Sequence, residues 1–250
     1  MKPFNGCRGQ ALRLLALVLL CALALQLVFL ARIALMRVVD PQSTAFQRSE
    51  AWRLLQADQP WRWQQQWVDR AALSAHLQRA AVASEDAGFF QHRGVEWAAI
   101  EQALERNERA AARAERLARQ RRQPGVPRVV GGSTITQQLA KNLFLSGERT
   151  VLRKAQELVL ALMLEALLPK ERLLEIYLNN VEWGEGVFGA QAAARRYFRV
   201  DAARLSPAQA ARLAVMLPAP KRFEKNPASA YVLNRAATIQ ARMQGVALPP

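Results

Sequence analysis

Cysteine is almost missing from this 250-residue sequence: the two that occur, Cys7 and Cys21, lie at the extreme N-terminus. That excludes a disulfide scaffold or a cysteine zinc framework from the main body. Negative charge is also scarce, with 20 Asp and Glu against 35 Lys and Arg and a formal net charge of +15. Such an excess implies an anionic partner; phosphate-bearing lipid, nucleic acid and an anionic membrane surface all satisfy it. β-Branched alternation is sparse, whereas 51% of residues are hydrophobic and Ala and Leu dominate long stretches. A mainly α-helical fold with few strands is therefore expected. The length suits one sizeable domain with an accessory segment, and no more than about two domains.

The longest apolar run is N-terminal. Between Arg13 and Arg32, Leu14 to Ala31 forms eighteen residues in which Gln26 is the only strongly polar side chain, and Ile33 to Met36 continues the pattern. At about 1.5 Å per residue, a helix borrowing from both flanks spans a hydrocarbon layer about 30 Å thick, with the arginines snorkelling. The run exceeds the apolar core of about 7–15 residues usual in a cleaved signal peptide, which favours an uncleaved anchor over residues 14–36 behind a cytoplasmic tail, 1–13. Lys2, Arg8 and Arg13 precede the span, and Arg32, Arg37 and Asp40 follow it. This modest bias places the N-terminus in the cytoplasm and the body outside it. Residues 37–68 read as a juxtamembrane connector broken at Pro41 and Pro60, with Trp52, Trp61, Trp63 and Trp67. These rings suit either a membrane interface or packing against the body.

In the body, residues 69–250, Gly131-Gly132-Ser133-Thr134-Ile135-Thr136-Gln137-Gln138-Leu139-Ala140-Lys141-Asn142 turns a Gly-rich loop into a helix. Ser133 or Thr134 can cap that helix, and backbone N–H groups with Lys141 suit an anion. The spacing is not that of a phosphate loop, and no strand pattern precedes it. A helix over 73–83 runs into Ser84-Glu85-Asp86-Ala87-Gly88-Phe89-Phe90-Gln91-His92-Arg93-Gly94. Carboxylates beside apolar bulk can have pKa values raised into the range of a general base, although a capped, solvated turn fits the same residues. Arg106 to Arg128 holds eight arginines and reads as a basic helix followed by a Pro-Gly turn; without interleaved aromatics it argues against nucleic acid and suits anionic lipid.

Glu157 enters a strongly apolar helix one turn after Arg153, so it is either a structural ion pair or a catalytic or metal-positioning carboxylate. Gly184 to Gly189 matches Gly-x-Gly-x-x-Gly, but a helix rather than a strand precedes it; a tight turn ahead of a helix over 190–198 is expected instead of a dinucleotide site. Ser206-Pro207 starts a further helix, and the last lies near 231–243.

Taken in order, Glu85-Asp86 with Phe89, His92 and Gly94, the Gly131–Asn142 stretch, Arg153-Lys154 with Glu157, and Tyr177-Leu178-Asn179 with Gly184, Gly186 and Gly189 resemble the glycosyltransferase family that polymerises bacterial peptidoglycan, in its monofunctional, membrane-anchored form. The similarity covers about residues 70–245. No serine has Lys three residues later, so the transpeptidase Ser-x-x-Lys of bifunctional relatives is lacking. The resemblance implies a lysozyme-like α-helical lobe beside a smaller membrane-facing lobe. It implies lipid II and the nascent glycan strand as substrates, with membrane lipid and other cell-wall synthesis or division proteins as partners.

By the same resemblance, Glu85 is the general base and Glu157 the second acidic position. Lys141, Arg149 and Arg153 match pyrophosphate-binding positions, and Lys154, Ser133, Thr134, Gln137, Gln138, Asn142 and Asn179 are further substrate-binding residues. A divalent cation, Mg2+ or Mn2+, is admitted and no organic cofactor is implied. A lysozyme-like hydrolase and a non-catalytic basic membrane scaffold remain the alternatives.

Overall fold

The computed structural model of the chain describes residues 4–57, 60–119, 132–145, 147–148 and 150–249. The chain divides into two compact units, one ending at Asp40 and the other beginning at Pro41. The first unit contains a single helix, α1 (Phe4–Leu35). Its stretch Gly9–Leu35 has a mean hydropathy of 2.9 and is long and apolar enough to cross a membrane. The helix starts earlier than the run read from sequence and takes in Arg13, but it fits the expected single-pass anchor.

The second unit is mainly helical, as the composition implies. Its helices are α2 (Ala45–Leu55), α3 (Ala75–Glu85), α4 (Trp97–Arg119), α5 (Ile135–Phe144), α6 (Val151–Leu167), α7 (Lys170–Asn180), α8 (Ala190–Phe198), α9 (Pro207–Met216), the single turn α10 (Pro220–Phe223) and α11 (Ala230–Arg242). Local chemistry sets where several begin. Thr44, Thr134 and Ser206 each form a reciprocal capping box with a glutamine three residues on, Gln47, Gln137 and Gln209. Each box satisfies backbone N–H groups that a helix start leaves without partners. Ser74, Thr150 and Ser229 cap α3, α6 and α11 through their hydroxyls.

Two helical groups make the core. In one, α9 packs on both α3 and α11. Small side chains, Ala80 and Ala81 against Ala210, Ala211 and Ala214, are fully buried there and allow close helix approach. In the other, α5 packs on α2, α6 and α7, burying Leu139, Leu143, Leu160, Leu164, Leu173 and Ile176. The basic segment read over 106–128 lies partly on α4, which begins nine residues before Arg106; its exposed Glu105 and Arg109 pair at 3.0 Å. The Pro-Gly turn expected after it lies outside the described residues.

Three short strands complete the unit: β1 (Gln64–Gln65), β2 (Glu182–Gly184) and β3 (Val187–Phe188), in the order β1-β3-β2. β1 runs parallel to β3 and β2 antiparallel to it. Gly186 turns the β2–β3 hairpin at φ +68°, where a Cβ would overlap the Arg62 carbonyl oxygen, and Gly189 (φ +81°) lies against the Asn179 carbonyl. The tight turn and close approach expected of these glycines are what the Gly-x-Gly-x-x-Gly match encodes.

The segment read as a connector, residues 37–68, is corrected by this arrangement. From Pro41 on it belongs to the body: α2 packs on α5, β1 extends the sheet, and the Asn179 amide clamps the Val68 backbone N–H and C=O at 2.9 Å each. Two of the four tryptophans pack against the body. Trp63 packs on Phe188 at 4.7 Å and Trp67 lies under Arg172 at 5.5 Å, whereas Trp52 and Trp61 are exposed.

One charge cluster, with buried carboxylates and exposed cations, joins α2, α10 and β2. Lys221 bonds Glu50 at 2.6 Å and lies 3.4 Å from Glu182, while Arg53 also holds Glu50. Burial pushes the Glu182 carboxyl up to about 7; Lys221 opposes the rise, and Glu50 and Glu224 add to it. Because the folded state prefers the proton, the contribution of Glu182 to stability is fully present below about pH 4.5 and lost as pH rises through about 7. Glu182→Gln should therefore unfold at higher denaturant than the parent at pH 8, by about 2–3 kcal/mol, with the gap closing toward pH 4.5; urea titrations at the two pH values measure it.

Candidate active site

A cleft of about 680 Å³ opens between the two helical groups, a size in the range of ligand sites. Ser84 and Glu85 at the end of α3, with Leu217 and Pro218 after α9, line one part of it; Gln138 and Lys141 of α5, Arg153, Lys154 and Glu157 of α6, Ser133, Phe46 of α2, and Leu145, Gly147 and Glu148 between α5 and α6 line the rest.

Glu85 is placed there by the residue after it. Asp86 is buried and leaves the helical conformation at the end of α3. Its Oδ2 accepts the Ile135 backbone N–H at 3.0 Å, in the first turn of α5, and its Oδ1 takes His92 Nε2 at 2.8 Å. The Gly94 N–H donates to His92 Nδ1 at 3.1 Å, which leaves Nε2 as the protonated nitrogen facing Asp86. Gly94 closes the loop by accepting the Thr134 hydroxyl at 2.6 Å. Phe89, fully buried beneath Lys170 at 4.5 Å, fills the space under this loop.

The Glu85 carboxylate accepts from Gln138 Nε2 at 3.0 Å and from the Ser84 hydroxyl at 3.3 Å. Burial pushes its pKa above the ordinary carboxylate value; the bonds from Gln138 and Ser84 oppose the rise, and the Asp86 charge adds to it. Gln138 in turn accepts the Tyr177 hydroxyl at 3.1 Å. A smaller cavity of about 90 Å³, lined by Glu85, Asp86, Glu96, Arg106 and residues 132–134, adjoins the same carboxylate.

Glu157 meets a different environment. It is 3% exposed, with Arg153 on one oxygen at 2.6 Å and Lys154 on the other. The ion pair read from the four-residue spacing is present, with a second cation that the spacing did not single out. Lys154 also reaches Ser133 at 3.3 Å.

Of the site residues read from sequence, the structure brings Glu85, Ser133, Gln138, Lys141, Arg153, Lys154 and Glu157 to one cleft. Thr134 caps α5 and faces the small cavity. Three are not brought to the cleft. Gln137 completes the capping box of Thr134, Asn142 is buried on α5, and Asn179 is spent on Val68 and the Glu175 carbonyl. Arg149 lies outside the described residues. Phe46, Ser84, Leu145, Gly147, Glu148, Leu217 and Pro218 were missed as lining residues; Leu217 and Pro218 read only as a helix end, and Phe46 fell in the supposed connector.

The admitted divalent cation finds no fitting donor set among the described residues. Asp86, His92 and Glu96 approach one another within 4.8 Å, but the first two already bond each other, Ile135 and Gly94 with the atoms a metal would need. Glu157 holds two cations already. Asp86→Ala should cost about 2–4 kcal/mol in chemical denaturation, since it orphans a buried N–H and a buried imidazole together.

Comparison with known proteins places this geometry in context. The family model described as Transglycosylase matches residues 54–244. The chain is 51% identical over 227 residues to a biosynthetic peptidoglycan transglycosylase of Burkholderia thailandensis, covering 91% of this chain and 83% of the relative. It is 52% identical over 210 residues to one of Bordetella pertussis, covering 84% and 82%, and 51% identical over 227 residues to one of Burkholderia orbicola, covering 91% and 86%.

Proposed function

The chain belongs to the transglycosylase family and is a peptidoglycan glycosyltransferase, and we propose that it extends glycan strands from lipid II by inverting transfer at the cleft described above. The observation that carries this reading is one cleft lined both by a desolvated carboxylate, Glu85, and by three cations, Lys141, Arg153 and Lys154.

In the proposed reaction the acceptor is the GlcNAc 4-hydroxyl of lipid II, and the donor is the growing strand on its undecaprenyl pyrophosphate. Glu85 takes the hydroxyl proton as the oxygen attacks the donor MurNAc anomeric carbon. The new glycosidic bond forms as the bond to the pyrophosphate breaks with its electron pair, inverting the carbon. A carboxylate whose pKa is raised by burial is a better proton acceptor at neutral pH than an ordinary one. The charge left on the pyrophosphate falls to the cations: Lys141 follows Gln138 by three residues, about 4.5 Å along α5, so the amide that holds the base and the counter-charge lie about one turn apart on one helix. The family resemblance gives Arg149 the same role. No step is routed through a divalent cation, since neither carboxylate group offers it a free site.

A hydrolase of the lysozyme kind is the second reading, since the cleft is lined by three acids, Glu85, Glu157 and the exposed Glu148. Hydrolysis of a sugar–sugar bond needs a second carboxylic acid to protonate the leaving oxygen. Glu157, with cations on both oxygens, offers no such proton. Those cations suit a leaving group that departs as an anion.

The substrate reading sets the address. A lipid-linked donor requires the cleft to work at a bilayer, and α1 supplies an anchor to the cytoplasmic membrane of the bacterium. The basic residues before the span favour an N-terminus in the cytoplasm and the body on the outer side, in the periplasm.

Glu85→Gln should bind lipid II with little change and form no polymer, and separate incubation with lipid II and with finished glycan should give polymer from the first and no cleavage of the second for the parent. Chain growth by Glu85→Gln at near-parent rate would remove Glu85 as base. Lys141→Ala should lower turnover by about 10²-fold while vesicle association stays at the parent level; loss of vesicle binding with turnover per bound enzyme intact would make Lys141 an anchoring residue instead.

A further inference from the structure

Glu85 is held by two unequal neighbours. The Ser84 hydroxyl, 3.3 Å away, belongs to the adjacent residue and is also 3.4 Å from the Ala214 carbonyl. The Gln138 amide comes from another helix and is itself gripped from behind. Its Oε1 accepts the Tyr177 hydroxyl at 3.1 Å while its Nε2 donates to Glu85 at 3.0 Å. Tyr177 stands on α7, is 1% exposed, and packs where α5 and α7 meet. Three helices thus contribute to one hydrogen-bonded series ending at the base.

The two ends of an amide are nearly equal in shape but opposite in hydrogen bonding, so packing does not choose which end faces Glu85. The phenol does. Burial, with the charges of Glu85 and Asp86 nearby, holds Tyr177 well above the usual phenol pKa, so the hydroxyl keeps a proton to donate to Oε1. That turns the Gln138 nitrogen toward Glu85. A carboxylate can only accept, so this orientation favours the ionised base; the reverse orientation would present an oxygen and favour the protonated acid.

Resting on the reading of Glu85 as base, we propose that Tyr177 is a positioning residue of the transfer reaction, its hydroxyl fixing the Gln138 amide so that Glu85 stays ionised and aligned in the cleft. It acts only through Gln138 and touches no reacting atom. Without the hydroxyl, Oε1 is a buried acceptor lacking its partner, and the amide is held in its donating orientation from the Glu85 side alone, which weakens its support of the ionised base.

The test compares the full-length parent in detergent with Tyr177→Phe, Gln138→Ala and the double variant, on purified lipid II between pH 5 and 9. Tyr177→Phe keeps the buried ring, and its melting curve checks that it folds. The expected result has three parts. The acid limb of kcat/KM moves to higher pH; kcat at pH 7 falls about three- to tenfold with KM within about twofold, the size of one hydrogen bond; and the double variant is no slower than Gln138→Ala within about twofold, because the two residues act in series. An acid limb that superimposes on the parent's, or losses that multiply in the double variant, would overturn the proposal. An inactive Glu85→Gln beside an unmoved Tyr177→Phe profile defeats only the positioning role, whereas an active Glu85→Gln defeats the base assignment itself.

Discussion

The carboxylate of Asp86 is the point on which the rest of the body depends. A helix start leaves backbone N–H groups without partners, and α5 gives one of them, that of Ile135, to a charged acceptor delivered by the end of α3. The same side chain takes the imidazole of His92, whose other nitrogen holds Gly94, which in turn holds Thr134. Two helices distant in sequence are fastened end to start by a closed circuit. Glu85, one residue earlier on α3, has little freedom left, and the first turn of α5 carries Gln138 to it. Charge-assisted bonds to a buried carboxylate are among the stronger ones available to a protein, and here they are used to set a distance.

Much of this was legible in the sequence, and the parts that were not share a cause. Helix starts at Thr134 and Ser206 follow from short-range chemistry, and the structure keeps them. The pairing of Arg153 with Glu157 follows from a four-residue spacing. The membership of residues 41–68 in the body did not show, because what binds this segment is long-range: β1 pairs with a strand more than a hundred residues later, and Asn179 reaches back to Val68. Two glutamines carry no periodic signal that would announce a strand. Gln137 and Gln138 likewise look equivalent as letters. A helix rotates successive residues by about 100°, so one turns back to the cap and the other faces the base.

Lys154 shows the limit from the other side. It was read as a cation for the substrate, and in the structure it divides its attention between Glu157 and Ser133. A buried carboxylate with two cations is costly to desolvate and gains most of that back from its partners. Its use is that Arg153 and Lys154 are held in fixed places before any substrate arrives, which lowers the reorganisation needed when negative charge appears.

Glu85 and Glu157 are therefore not a pair in the sense that a hydrolase needs. Glu85 is partly buried and has only neutral donors, whose bonds do not offset the desolvation, so its proton affinity rises. Glu157 has its oxygens closed by cations. One is suited to receive a proton and the other to hold positive charge in place, and neither is placed to give a proton to a leaving oxygen. Such a division suits a reaction whose leaving group already departs as a stable anion and whose nucleophile is a sugar hydroxyl that must lose its proton. A glycosyl pyrophosphate donor with a sugar acceptor meets both conditions, and water acting on a finished strand meets only the second.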